Sequence, residues 1–368
     1  MSVTGGMGPT GGGPANGGAG PGGSGSGGRA PSYVAQAVTA GLAHTCALLD
    51  DGRVACWGEN VDGQLGDGTF EPSLQPVVVP GLEDVSEIAA GERHTCALRT
   101  NGSVWCWGDS TFQQVAQSTD AGTPIQVGGL TNVGGIAAGA NHTCSHANGG
   151  AAKCWGAHLA AQLGNGTTTS SSLPVDVADL VVVSDLAGAT DYSCAIADTA
   201  TVFCWGLAGD VVDSFTPTAI GWIPSPGPPL TGSDLAVADG IACVLRTDKP
   251  WCWGTGGQTA ATEIDFPNVV ELVGGGGHLC ARLQNGNLAC WGENDAGQVG
   301  DGTVGGSKTA PTAVSDVDDA SALGLGTRHS CAVVGAGALV CWGDNDSGQL
   351  GDGTTTGSSV PVPVAAFP

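Results

Sequence analysis

The apolar positions of this chain fall into short runs that return in the same order about every 50 residues. One cycle shows the pattern. Ile88-Ala89-Ala90 is a short apolar run ending at Gly91, Thr95-Cys96-Ala97-Leu98-Arg99 is a second, and Ser103-Val104-Trp105-Cys106-Trp107-Gly108 is a third. Between the second and third stands Asn101-Gly102, whose residues tolerate the left-handed backbone of a two-residue hairpin turn. Asp51-Gly52 and Asn285-Gly286 hold the same place in two other cycles. Pro76-Val77-Val78-Val79 adds a further extended segment. Short runs bounded by turn residues predict strands, and no amphipathic helical period is found anywhere. Each cycle therefore predicts about four short strands, and the chain an all-β fold.

Cysteines mark the cycles. They form seven close pairs: Cys46 with Cys56, Cys96 with Cys106, Cys144 with Cys154, Cys194 with Cys204, Cys243 with Cys252, Cys280 with Cys290 and Cys331 with Cys341. Six pairs are ten residues apart and the fifth nine. Successive first cysteines are separated by 50, 48, 50, 49, 37 and 51 residues. A Trp-Gly follows the second cysteine each time, at Trp57, Trp107, Trp155, Trp205, Trp253, Trp291 and Trp342. A repeat of this length signals a propeller, a solenoid or an array. A four-stranded unit cannot bury both faces alone, whereas seven set radially bury each sheet against its neighbours. The expectation is a seven-bladed β-propeller over residues 34–368. The tail Val360-Pro361-Val362-Pro363-Val364 copies the Pro-Val segment, and no such segment precedes Val34. The C-terminal strand is therefore expected to supply what the first repeat lacks and so close the ring.

A hairpin centred at Asn101 places Cys96 opposite Cys106, close enough for a disulfide. An even count in even pairs points to disulfides and an oxidising compartment. The expected location is extracellular, periplasmic or at the cell surface.

The repeat itself resembles that of the regulator-of-chromosome-condensation family. It runs Gly-x-x-His-Thr-Cys-Ala-Leu, Asp-Gly-x-Val-x-Cys-Trp-Gly, then Asn-x-x-Gly-Gln-Leu-Gly-Asp-Gly-Thr. Here it stands at Gly41 to Leu48, Asp51 to Gly58 and Asn60 to Thr69, and in part again at Gly326 to Val333 and Asn345 to Thr354. The resemblance implies a seven-bladed propeller. It also implies one of two roles, exchange of guanine nucleotides on a small GTPase, or binding and inhibition of other proteins as bacterial members do. A cysteine pair in every blade departs from the family pattern and suggests an exported, bacterial branch.

Composition narrows the reading. Ten Lys+Arg against 34 Asp+Glu give a formal net charge of −24, which opposes binding to nucleic acid or an anionic membrane surface. Glycine is 65 of 368 residues without a three-residue period, so collagen is excluded. No apolar stretch is long enough for a membrane helix; Leu180 to Ala187 is broken by Ser184 and Asp185. Residues 1–33 are nearly all Gly, Pro, Ser and Ala, which predicts a flexible linker. They hold no apolar core of a secretory signal, so an exported chain is expected to start upstream, to be a fragment, or to use another route. Gly20-x-Gly22-x-x-Gly25 spells a dinucleotide fingerprint but has no strand before it and no helix after it.

Candidate chemistry is sparse. His44-x-Cys46 with Cys56 has the residue types of a zinc site, yet repeats four and five keep the cysteines and place Tyr192 and Ile241 at the histidine position. His44, His94, His142, His278 and His329 are therefore expected between blades, partly buried and hydrogen-bonded. Glu59-Asn60-x-Asp62-Gly63 and Asp344-Asn345-Asp346-x-Gly348 resemble the start of a calcium loop, but position twelve is Phe70 or Thr355 instead of a bidentate Glu. Turn chemistry explains the same residues. Neither a Gly-x-Ser-x-Gly elbow nor a His-Glu-x-x-His helix is present, so no catalytic residue, cofactor or metal is assigned. Individuality lies in the irregular repeats. Blade four lacks the Gly-Gln-Leu-Gly loop and runs through Phe215, Trp222, Pro224, Pro226, Pro228 and Pro229. Blade two puts Phe112 where blade one has Asp62. Trp222, Phe112 and Phe215 are the candidate partner contacts, since aromatics on rigid turns anchor interfaces. The expected function is a non-catalytic, monomeric protein-binding scaffold. Guanine-nucleotide exchange is the first alternative and a secreted enzyme of unknown class the second.

Overall fold

Strand and turn residues alternate through each repeat in a way that leaves one topology open, a meander. The computed structural model describes residues 34–116, 119–207, 211–220, 230–254 and 261–368. Its described strands form seven four-stranded antiparallel sheets, each built from four strands consecutive in the chain. In blade one these are Ala35–Ala40, His44–Leu49, Val54–Gly58 and Ser73–Val78. The first strands of the later blades are Val85–Ala90, Val133–Ala138, Val183–Gly188, Asp234–Ala238, Val269–Gly274 and Ala320–Leu325. Each first strand lies beside those of the two adjacent blades, and that of blade seven lies beside that of blade one. Together they surround an axial channel of about 250 Å³ lined by small residues such as Ala40, Ala90, Ala138, Gly188 and Gly274.

Burial follows position in the blade. The second strand His44–Leu49 is buried at all six positions, because both of its faces meet neighbouring sheets. The fourth strand Ser73–Val78 is less enclosed, with Leu74 and Gln75 exposed and Pro76 alone buried. Each Trp-Gly tryptophan reaches from the third strand into the gap between blades; Trp57, Trp107, Trp155, Trp205, Trp253 and Trp342 are among the largest fully buried side chains. Burying such an aromatic contributes on the order of 3 kcal/mol. The glycine that follows is obligatory. Gly58 has φ +103°, and a Cβ there would collide with the carbonyl of Ala43.

Cysteines occupy directly opposed positions of the second and third strands, Cys96 against Cys106 and likewise in every blade. The disulfides follow that register. Cys46 is bonded to Cys56, Cys96 to Cys106, Cys144 to Cys154 and Cys194 to Cys204. In the last three blades Cys243 is bonded to Cys252, Cys280 to Cys290 and Cys331 to Cys341. No described cysteine is free. The fifth pair, nine residues apart, keeps the same opposed register across a turn one residue shorter. Each bond is enclosed, with the cysteines between 0 and 6% exposed.

One expectation is corrected. The C-terminal strand Ser358–Pro363 does not join the first blade. It pairs with Ala338–Gly343 and completes blade seven. The Pro-Val segment follows the hairpin of its own repeat, so blade one already has its fourth strand in Ser73–Val78. Closure is by packing of blade seven on blade one, without strand exchange. The predicted linker, residues 1–33, lies outside the described residues.

Candidate functional site

The loop between the third and fourth strands of a blade reaches over the next blade, and its polar residues hold it in shape. In blade one, Asn60 Oδ1 accepts from Leu65 N at 2.9 Å, while its Nδ2 donates to Thr69 O at 3.2 Å and to Glu71 O at 3.0 Å. Gln64 Oε1 folds back to accept from Asp62 N at 2.9 Å. The main-chain carbonyl of Gln64 is thereby aimed at blade two, where it accepts from Trp107 Nε1 at 2.9 Å and from Thr95 Oγ1 at 3.2 Å. Gly66 passes over the indole with φ +69°, and a Cβ there would sit 2.6 Å from Trp107 Nε1. The same indole-to-carbonyl bond recurs from Trp155 to Gln114, Trp205 to Gln162, Trp342 to Gln298 and Trp57 to Gln349, at 2.8–2.9 Å. The last of these joins blade one to blade seven, so the ring closes through the contact used elsewhere.

Histidines complete these seams. His44 Nε2 lies 2.9 Å from Thr95 Oγ1, and equivalent contacts link His94 to Thr143, His142 to Ser193, His278 to Ser330 and His329 to Thr45. Thr95 spends its single hydroxyl proton on Gln64 O, so His44 Nε2 is the donor and Nδ1 carries the lone pair. Nδ1 of all five histidines is buried without a partner. Burial disfavours the charged ring: His44, His142 and His329 are pushed from 6.5 down to about 3, His94 and His278 to about 4. They are neutral structural links, which leaves no free imidazole pair with Cys46 for a metal. Among the described residues no three His, Cys, Asp or Glu side chains converge as ligands. The Asx residues of the loops bond to their own backbone instead, as Asp67 does to Thr69 N at 2.9 Å.

Two seams depart from this plan. The connections after Trp205 and Trp253 are short: seven residues precede Asp213 and eight precede Thr262, against fifteen between Trp57 and Ser73. No described glutamine carbonyl meets Trp253 Nε1 or Trp291 Nε1, and both are buried donors without a partner among the described residues. The hydroxyl that would share that carbonyl is missing too, since Ala242 and Leu279 replace the Thr or Ser. Between blades four and five Tyr192 restores a tie, its OH donating to Ala238 O at 2.7 Å, and Val211 and Val212 join Trp253 in one apolar cluster. Between blades five and six Ile241 replaces the histidine, an apolar side chain that can make no polar link in its place.

The predicted contact residues are dispersed. Phe112 sits in the loop of blade two and is half-buried, its N donating to Gln114 Oε1 at 2.9 Å. Phe215 lies on the outer strand Asp213–Ala219 of blade four and is 48% exposed. Blade three stands between them, and Trp222 lies outside the described residues. Sequence reasoning missed Val61 and Leu159, exposed at the equivalent loop position one residue before that of Phe112. Loop alignment carried the signal. Charge on this face is acidic. Arg93 is paired with Asp62 at 2.9 Å, Lys308 with Asp301 at 2.6 Å and Arg328 with Asp344 at 3.5 Å. The other described lysines and arginines are also engaged, Arg246 lying 5.6 Å from the ring centre of Trp251. Inside the ring, burial raises Glu87 and Asp185 to about 7 and Asp234 to about 6. Glu87 accepts from Ile136 N, Asp185 from Leu235 N and Asp234 from Leu272 N, each a first-strand tie to the next blade.

These features define a disulfide-stapled β-propeller whose blades are latched by a loop carbonyl and a tryptophan. The chain belongs to the regulator of chromosome condensation (RCC1) repeat family, whose repeat profiles match residues 51–98, 101–145 and 336–368, and 35–64, 85–114, 269–298 and 321–349. It is 29% identical over 153 residues to the human E3 ubiquitin-protein ligase HERC2, covering 36% of this chain and 3% of that protein. It is 26% identical over 166 residues to the mouse secretion-regulating guanine nucleotide exchange factor, covering 36% of each. The chain thus spans far less than two thirds of either curated relative. Prp20p from Saccharomyces cerevisiae has a similar structure, with a TM-score of 0.74 at 19% identity over 91% of this chain and 87% of that one. That likeness is one of fold.

Proposed function

We propose that this chain is an exported or cell-surface, non-catalytic protein-binding scaffold that acts as a monomer and presents its acidic loop face to a cationic partner. The observation that carries this reading is the loop face itself. Every described Lys and Arg is already engaged, so the remaining carboxylates of the loops are free to attract an opposite charge. Seven enclosed disulfides support an oxidising location. The seam histidines, neutral and fully buried, offer no acid–base chemistry at neutral pH. The solved neighbour Prp20p was characterised for binding to Gsp1p and histones, which supports a protein-binding use of the fold.

The test is affinity capture from culture medium and cell-surface extract, followed by titration of the purified partner. Binding should weaken about tenfold or more between low and high salt. Phe112→Ala should weaken it at least about tenfold with little change in melting. A salt-independent affinity sinks the charge argument. A second reading, guanine-nucleotide exchange, is favoured by the stretch shared with the mouse exchange factor. Acceleration of GDP release from a small GTPase by the purified chain would establish it over the scaffold reading.

A further inference from the structure

The loops of blades one, six and seven are braced by one residue type. Asn60, Asn294 and Asn345 each use Oδ1 to accept from the backbone N–H five residues on, that of Leu65, Val299 or Leu350, at 2.9, 3.1 and 2.9 Å. In blades one and seven Nδ2 also donates to Oδ1 of Asp67 or Asp352 at 3.3 Å. Blade three places His158 at the asparagine position and Asn165 at that of the aspartate. The ring makes both bonds: Nδ1 lies 3.0 Å from Leu163 N, and Nε2 lies 2.8 Å from Asn165 Oδ1. A backbone N–H only donates, so Nδ1 presents its lone pair. Asn165 Oδ1 also accepts from Thr167 N at 3.0 Å, so Nε2 carries the hydrogen. One tautomer of the neutral ring meets both demands, and a charged ring meets only one.

The bond to Leu163 N sets the neighbouring carbonyl. Gln162 O accepts from Trp205 Nε1 at 2.9 Å and from Ser193 Oγ at 3.1 Å, and Leu163 is fully buried in the same apolar cluster as Trp205. Protonated Nδ1 would set two N–H donors face to face at Leu163, which a neutral asparagine amide never does. Nothing offsets such a charge. His158 is itself fully buried, and burial holds it below its ordinary 6.5. His142 on the second strand of blade three opposes a second charge nearby. The loop of blade two carries Asp109, which is bonded to Gln114 Nε2 and Thr111 N. Blade four presents the uncharged Ser193 and Trp205. No described carboxylate stabilises the charged ring.

We propose that His158 makes the blade-three loop an acid-released latch: one proton on Nδ1 breaks the bond to Leu163 N and frees the Gln162 carbonyl from Trp205 and Ser193, while the asparagine-braced loops stay shut. The element released is the stretch 158–167, which carries Leu159, 74% exposed, so the shape of this part of the loop face depends on pH. The freed ring titrates near 6.5, so the latch is whole above that pH and is lost progressively below it. A closed ring that takes up no proton loses up to about 30-fold in its closed-to-open ratio by about pH 5.

The test is amide hydrogen exchange of the full ¹⁵N-labelled chain, corrected for intrinsic rates, at about pH 7.5 and about pH 5. Protection of Leu163 should fall about tenfold or more beyond that of Leu65 and Leu350, the equivalent amides under Asn60 and Asn345. His158→Asn gives blade three the brace of those loops and should remove the excess while keeping protection at the higher pH. Ring ¹⁵N shifts of the unaltered chain should show His158 neutral with its hydrogen on Nε2 at about pH 7.5. Equal losses at Leu163 and Leu65, a hydrogen on Nδ1 at the higher pH, or an excess that survives His158→Asn each overturn the latch. None of these readouts needs a partner, so their failure leaves the scaffold reading standing.

Discussion

The seam between blades seven and one and the seam between blades five and six occupy equivalent places in the ring and are built in opposite ways. At the first, Gln349 O accepts from Trp57 Nε1 and from Thr45 Oγ1, and His329 lies 2.8 Å from Thr45 Oγ1. Phe367 adds an aromatic contact to Trp57, with ring centres 6.4 Å apart. At the second, Leu279 stands for the threonine, Ile241 for the histidine, and no described carbonyl reaches Trp291. The polar residues of a seam come and go as a set. A buried hydroxyl or imidazole is tolerated only where its partners are present, so loss of the loop carbonyl makes apolar replacements favourable at the positions that used it.

The largest test of this contrast is removal of Ser358–Pro368. It strips blade seven of its fourth strand and uncovers Trp57, so we expect a loss on the order of 5 kcal/mol and aggregation through the exposed edge. Thermal melting with light scattering measures both, and unchanged melting would show that the closing seam does not need this segment. Next in size is the staple. Replacing Cys96 and Cys106 by Ala should cost about 2.5–3 kcal/mol, as should replacing Cys280 and Cys290 beside the seam between blades five and six, because loop closure acts on the unfolded chain. Denaturant midpoints that differ widely between the two would tie the effect to the seams instead.

Acidification comes third. The seam histidines have pKa values of about 3 to 4 in the fold against 6.5 when unfolded, so the unfolded chain takes up protons first as pH falls below 6.5. Their stability is whole above 6.5 and is lost toward pH 4. Glu87, Asp185 and Asp234 act in the opposite sense: their raised values favour the fold at low pH, an advantage lost as pH rises through 6 to 7. The histidine contribution predicts an acid limb in the stability profile. His44→Gln should flatten it in urea titrations between pH 4 and 7, and an unaltered limb would exclude the histidine as its source. The smallest effect is the sharpest comparison. Trp107→Phe leaves Gln64 O short of a donor and should cost about 1–2 kcal/mol, whereas Trp291→Phe removes a donor that bonds to nothing described and should cost about zero. Equal costs would mean that the two seams do not differ in the way their geometry states.

Much of this was readable from particular residues. Asn101-Gly102 centres a hairpin that sets Cys96 against Cys106, and that register is found. The same spacing pairs Cys144 with Cys154, Cys194 with Cys204 and Cys331 with Cys341, and the shorter fifth interval still pairs Cys243 with Cys252. The expectation that His44 lies hydrogen-bonded between blades is met by its seam partner Thr95. The candidate contacts were less legible. Phe112 is half-buried by its own turn, and Val61 and Leu159 were passed over because an aliphatic residue in a polar loop looks unremarkable until the loops are superposed. The two irregular seams had a signal in the sequence, Ala242 and Leu279 in the Thr/Ser column, but its meaning depends on knowing that this column faces the preceding blade.

Local rules thus determined the strands, the turns, the cysteine pairs and the repeat, since each depends on residues within about ten positions of one another. The tertiary structure decided where the cycle is cut into blades. A repeating sequence reads the same from any starting point, and only pairing shows that Val360–Val364 belongs with Ala338–Gly343 and not with blade one. It also decided which carbonyl serves which indole, as between Gln349 and Trp57, nearly the whole ring apart in sequence and 2.9 Å apart in space. Those contacts exist only once neighbouring blades are stacked, because no blade can satisfy its buried donors alone.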